Sequence, residues 1–121
     1  MVGVDVSGRH EEDGEYLMVA AAVRADVGTA RIRSVLGMGF AARRDGPTLE
    51  NVAELVADAV DDLPEPPEGP VVAEHGEFYE EPPWTVAHYF GGEFKYIESI
   101  AERETVQTAH HAAYAARKLL L

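Results

Sequence analysis

The sequence predicts one α/β domain built on a mixed five-stranded sheet. Three strands in an antiparallel meander come first, then helix, strand, helix, strand and helix, with the helices packed on the sheet. Three observations predict this. Residues 1–7 alternate with the period of two that a half-buried strand requires. Two further apolar runs follow, joined by short links rich in turn residues. Beyond residue 46 the apolar spacing changes to three and four, and such stretches alternate with short apolar runs. A chain of 121 residues suits one core, so a single domain spanning 1–121 is expected.

Strand β1 is predicted over residues 1–7, MVGVDVS. Val2, Val4 and Val6 point one way; Gly3, Asp5 and Ser7 point the other. Residues 8–14 form a polar connection ending in Asp13-Gly14, a turn pair. Strand β2, residues 15–25, is almost continuously apolar, which predicts a central strand covered on both faces. Gly28 marks the next turn. Strand β3, residues 30–42, places Arg31, Arg33 and Val35 on one face and Ile32, Ser34 and Leu36 on the other. Its Gly37 and Gly39 predict a bulge or a close backbone approach.

Asp45-Gly46-Pro47 ends the meander. Thr48 is a good N-cap for helix α1, Glu50 suits its first turn, and Leu49, Val52, Val56, Ala59 and Leu63 recur at helical spacing up to Pro64. Residues 64–70, PEPPEGP, make a stiff extended link too short to divide domains. Strand β4 is predicted over 71–74, helix α2 over 84–90 and strand β5 over 93–98. Helix α3 is predicted over 102–121, with Val106, Ala109, Ala113, Ala116 and Leu120 as its apolar stripe.

Acids outnumber bases 22 to 10, for a net charge of -12. Residues 47–82 hold eleven acids and no lysine or arginine, so that segment carries nearly the whole excess. Residues 24–46 lean the other way: Arg24, Arg31, Arg33, Arg43 and Arg44 face only Asp26 and Asp45. Such a chain does not hold nucleic acid by bulk charge in dilute buffer. Lysine occurs only at 95 and 118, beside eighteen alanines and fourteen valines. That composition suits the salt-loaded cytoplasm of a halophilic archaeon. In molar salt, screening falls to about 3 Å, and a local nucleic-acid contact is then compatible with the charge. The absence of cysteine excludes disulfides and a Cys zinc site. There is no apolar run of membrane-span length and no signal-peptide pattern, so a cytoplasmic domain without a membrane partner is expected.

The opening VGVDVSG, followed by this order of elements, resembles the ribonuclease H-like superfamily, in particular its Holliday-junction-resolvase branch. The chain also resembles an uncharacterised archaeal family assigned to that fold. The first resemblance implies a nuclease that hydrolyses phosphodiester bonds with Mg²⁺ or Mn²⁺ held between carboxylates. Hard cations take oxygen ligands, and two of them about 4 Å apart stabilise the attacking and leaving oxygens.

It implies metal-binding roles for Asp5, in the middle of β1, and Glu74, at the end of β4. Asp5 is also the only charge in its apolar strand, and a buried carboxylate needs a counter-ion or a metal. In the last helix, HHAAYAA places His110 or His111 where the superfamily usually has an aspartate, and the acid often found one turn earlier falls near Gln107. Either histidine would complete the site or move protons, although imidazole suits Mn²⁺ better than Mg²⁺. Glu104 lies on the same helix face as His111. Arg31 and Arg33 are the expected contacts to the backbone of RNA or branched DNA.

Other readings stand beside these. Asp5 could cap a turn, Glu74 could be a surface acid, and the histidine pair could pack at a helix edge. Glu50 and Glu54 lie on the solvated side of α1. Trp84, Tyr89 and Phe90 either close the core under α2 or stack bases. Glu74-His75-Gly76-Glu77 with His88 could build a His/Glu zinc site, but no fixed zinc spacing is present. The missing third acid also favours a different class of function, a binding or assembly module that kept the fold and lost the chemistry.

Overall fold

The computed structural model describes all 121 residues. Its elements are β1 (Val2–Ser7), β2 (Met18–Val27), β3 (Ile32–Arg43), α1 (Leu49–Asp61), β4 (Val71–Ala73), α2 (Pro83–Ala87), β5 (Phe94–Tyr96) and α3 (Ile100–Leu120). The strands form one mixed sheet in the order β3-β2-β1-β4-β5. Strand β1 pairs antiparallel with β2 and parallel with β4; β2–β3 is antiparallel and β4–β5 parallel. All the predicted elements are present, with shifted ends. No helix is long and apolar enough to cross a membrane.

The alternation of β1 sorts the molecule into two faces. Val2, Val4 and Val6 join Met18, Ala20 and Ala22 of β2 and the buried side of α1 in one large apolar cluster. Gly3 and Asp5 face α3. There Ala21 and Val23 pack on Ala109 and Ala113, and Val72 packs on Val106. Strand β2 is therefore covered on both sides, as its continuous apolar run requires. Gly3 permits the close approach of α3: a Cβ at this position would lie 2.7 Å from the backbone carbon of Thr105.

Thr48 caps α1, its side chain accepting from the Asn51 N–H. Helix α3 begins earlier than predicted. Ser99 accepts from the Glu102 N–H, while Glu102 accepts from the N–H groups of Ser99 and Glu98, closing a capping box. The stripe of α3 is buried at Val106, Ala109 and Ala113 only; Leu120 overhangs the sheet and is exposed.

Strand β3 is an edge. Its glycines serve both predicted purposes. The register shifts at Arg24/Ala25, opposite Gly37 and Val35, and Gly39 lies so close to the end of α1 that a Cβ would strike the Ala59 carbonyl. The bulge breaks the simple two-face division expected of β3, and Val35 and Leu36 are both exposed. Farther along, the Phe40 N–H points away from β2 and donates to Asp62 Oδ2 at 2.9 Å. Trp84 closes no core: it is 72% exposed, while Val86 of the same short helix is fully buried. Tyr89 and Phe90 do pack against the main cluster.

Candidate active site at the ends of β1 and β4

Strands β1 and β4 run parallel, so their C-terminal ends open in the same direction. Val71 and Ala73 face α1, while Val72 faces α3. The alternation continues one residue past β4 and turns Glu74 toward α3, the side that Asp5 also faces. Helix α3 crosses there and contributes Val106, Gln107 and His110. These five residues line one open cavity of about 240 Å³.

Asp5 is 7% exposed. His110 Nδ1 lies 2.9 Å from its Oδ2; an ionised carboxylate only accepts, so against it Nδ1 carries the hydrogen, and in the neutral ring Nε2 is then the bare nitrogen. The His110 side chain is 60% exposed and bridges a buried carboxylate to solvent. Burial pushes the Asp5 carboxyl above its ordinary range. Hydrogen bonding and charge from His110, together with the Arg9 charge, oppose that rise, and Glu74 adds to it.

Glu77 is another buried acid, also 7% exposed. Its loop folds back on the sheet because Phe78 inserts, fully buried, into the large cluster, and because the Tyr79 hydroxyl donates to the Pro47 carbonyl. Tyr79 and Glu80 both hold left-handed backbone, φ 55° and 60°. Neighbouring non-glycine residues in that region store strain of roughly 1–3 kcal/mol each. Arg9 Nη2 lies 2.9 Å from Glu77 Oε1 and donates to the Glu77 carbonyl at 2.6 Å. Oε1 itself is buried without an aligned hydrogen bond. Burial, then the Asp5 charge, push the Glu77 carboxyl up to about 7, against the pull of Arg9 and the Val6 backbone.

Asp5, Glu74 and His110 are thus brought together. His111 is not: its ring stands beside that of His110, 5.5 Å away, and it turns out of the cavity because successive helical residues point about 100° apart. Gln107 does line the cavity, so the position one turn before the histidines presents a neutral amide. Arg31 and Arg33 lie elsewhere. Asp5 pairs with Ala21, which pairs with Phe40, and Arg33 is seven residues up β3 from Phe40. At about 3.3 Å per residue the separation exceeds roughly 20 Å. The His75 ring stacks on Tyr96 and bonds the Ile97 carbonyl, which separates it from Glu77 and removes the His/Glu zinc arrangement. Glu54 pairs with Arg43, far from the cavity.

Sequence reasoning did not pair Arg9 with Glu77. The nearest signal for Glu77 was its apolar neighbour Phe78, an anchor able to draw a loop inward. Arg9 follows Gly8, whose φ of 94° turns the chain back toward the sheet.

The donors are carboxylate oxygens plus an imidazole, with no thiol, the kind of set that hard divalent cations take. No three of the acids and histidines stand close enough together to hold one ion. Asp5 and Glu74 are the two carboxylates that line the cavity.

Among curated proteins the chain is similar to "Uncharacterized protein MJ0095" of Methanocaldococcus jannaschii, 25% identical over 121 residues, 99% of this chain and 95% of the relative. The pattern of one family covers residues 2–121, the paired strands and the cavity together, and the chain belongs to that family, described as "Uncharacterized protein conserved in archaea (DUF2209)".

Proposed function

We propose that this chain is a nuclease of ribonuclease H-like fold that hydrolyses phosphodiester bonds with Mg²⁺ or Mn²⁺. The observation that carries the reading is the single cavity shared by Asp5, Glu74 and His110 where β1 and β4 end. The mixed sheet, with its antiparallel meander followed by parallel β4 and β5, supports the fold assignment.

Asp5 and Glu74 would hold the cation, which supplies stabilisation of charge on the attacking and leaving oxygens. Asp5 orients His110 through the Nδ1 hydrogen bond. That leaves His110 Nε2 to take a proton from the attacking water. Gln107, on the same rim, offers an amide donor to a phosphate oxygen. A nucleic acid touching both this cavity and Arg31 or Arg33 would span more than 20 Å, about six base pairs at 3.4 Å each.

The test is incubation with RNA, branched DNA and duplexes in molar KCl with Mn²⁺ or Mg²⁺. Cleavage is expected, abolished in Asp5→Asn and lowered about 10²-fold in His110→Ala. Failure to cut any substrate, or equal cutting by Asp5→Asn, overturns the reading. The high salt follows from the composition, which we read as halophilic; full folding at very low salt without divalent ions would refute that.

One observation favours a second reading, a binding or assembly module without chemistry: His110 stands where the resemblance implies an acid, and no three donors converge. This reading expects nucleic acid or protein to be bound and left intact, and no divalent binding by calorimetry.

A further inference from the structure

Strand β3 is covered on one side only. Toward α1 it is closed: Ala41 packs on the main cluster, and Gly39 lies against the end of α1. Met38 and Phe40 pair with Val23 and Ala21, which face α3, so they point the same way. Helix α3 does not reach over them, because its buried stripe is taken up by Ala21, Val23 and Val72. What remains is an open groove of about 380 Å³, the largest cavity of the molecule. Val19, Phe40 and Ala42 form one side of it, and Ala116, Leu119 and Leu120 the other. Every residue that lines it is apolar, in a chain that is 26% charged. Of the eleven large apolar side chains exposed to water, eight lie on β3 or between 114 and 121, so the exposure is concentrated here.

We propose that this groove is an interface between two copies of the chain, with Leu119 of each copy seated against Phe40 of the other. Groove and ridge lie side by side on one surface: Leu119 is 87% exposed at the rim of the cavity that Phe40 floors. A two-fold interface needs that self-complementarity, since each copy must offer both parts. The area also suits a pair. Val35, Met38, Phe40, Leu119 and Leu120 together leave roughly 500 Å² in water, at about 150–250 Å² per large side chain. Ala42, Ala112 and Ala116 extend the face toward the roughly 800 Å² that each partner of a stable interface buries. The lining carries no charge with which to hold an anion, and charge depletion is the mark of an interface core. Docking uses the face of β3 and not its edge, where Asp62 occupies the Phe40 N–H. Strands β3 and β4 lie on opposite sides of β1, so pairing leaves the Asp5 cavity open and stands apart from the nuclease reading.

The test is sedimentation equilibrium of the full chain from about 1 to 100 µM in molar KCl, which screens the -12 charge of each copy. A dimer is expected, and Leu119→Asp should weaken it at least about thirtyfold, as loss of an interface anchor does. Leu119 is exposed, so the variant keeps its fold, which unfolding by denaturant will verify. Trp84→Asp, which removes an exposed aromatic outside the groove, should leave the dimer unchanged. In a mixture of isotope-labelled and unlabelled copies, magnetisation transfer between the Phe40 ring and the partner's Leu119 methyls is expected. A chain that stays monomeric at 100 µM overturns the proposal, and so does a dimer indifferent to Leu119→Asp or one without that transfer. A monomer whose groove takes up the apolar dye anilinonaphthalene sulfonate, with uptake lost in Leu119→Asp, would assign the groove to a foreign apolar ligand and overturn pairing as well.

Discussion

The two faces of the sheet are built on different terms. The α1 face is one continuous cluster of 18 buried apolar residues. The α3 face has clusters of four and three, and Asp5, Thr105 and Glu102 are buried near or between them. Apolar burial contributes about 25 cal/mol per Å², so the first face supplies most of the stability. The second gives up part of that gain to hold charges out of water. The difference teaches where to look for chemistry: groups that cost stability to bury are gathered on one side, and the other side compensates for them. Phe78 and Glu77, adjacent in sequence, belong to opposite faces, so the loop between β4 and α2 ties the two together.

The sharpest way to break this comparison is at that tie. Phe78→Ala should cost about 3–5 kcal/mol in denaturant unfolding, the usual loss for a buried phenylalanine. A loss below about 1 kcal/mol would mean that the loop is not anchored in the α1 face.

The next effect belongs to the α3 face and depends on pH. The Glu77 pKa is raised from an ordinary 4.5 to about 7. The folded chain therefore binds more protons than the unfolded chain between those values, and stability falls as pH rises through that window. The loss is up to about 3 kcal/mol, at 1.36 kcal/mol per pKa unit. Asp5, also raised, acts in the same direction. Unfolding free energies measured from pH 4.5 to 8 should show the decline, and Glu77→Gln should flatten most of it. A flat profile in the unaltered protein would show that the acid is solvated.

The smallest expected effect tests how tightly α3 sits. Gly3→Ala puts a methyl 2.7 Å from the Thr105 backbone, and overpacking of that kind costs about 1–3 kcal/mol. Because the helix must shift, the His110–Asp5 bond should weaken as well. That is readable as a changed ring-proton shift of His110, whereas an unaltered spectrum would place the slack elsewhere.

What the chain order revealed, and what it did not, follows the same division. The β1 alternation, the Thr48 cap and the apolar spacing of α1 are local signals, and local signals are legible. Ser99 and Glu102 also form a legible pattern three residues apart, and it sets the start of α3 two residues before the predicted one. Asp5 was readable as a lone charge among valines. Its pairing with His110, 105 residues away, is a product of topology. Glu77 and Arg9 were illegible for that reason: each sits in a polar stretch, and only the folded loop buries one against the other. The sequence left Trp84 open between core and surface, and the structure exposes it because a five-residue helix has too little surface to bury both Trp84 and Val86.

The hydrogen bond from the Phe40 N–H to Asp62 bears on how copies of this chain coexist. An edge strand with free amides is a template on which sheets polymerise. Here a carboxylate already occupies one of those amides, and an incoming strand must evict it before it can register. Where salt screens long-range repulsion, net charge no longer keeps molecules apart. A plug that works by occupancy rather than by field does not depend on the salt concentration.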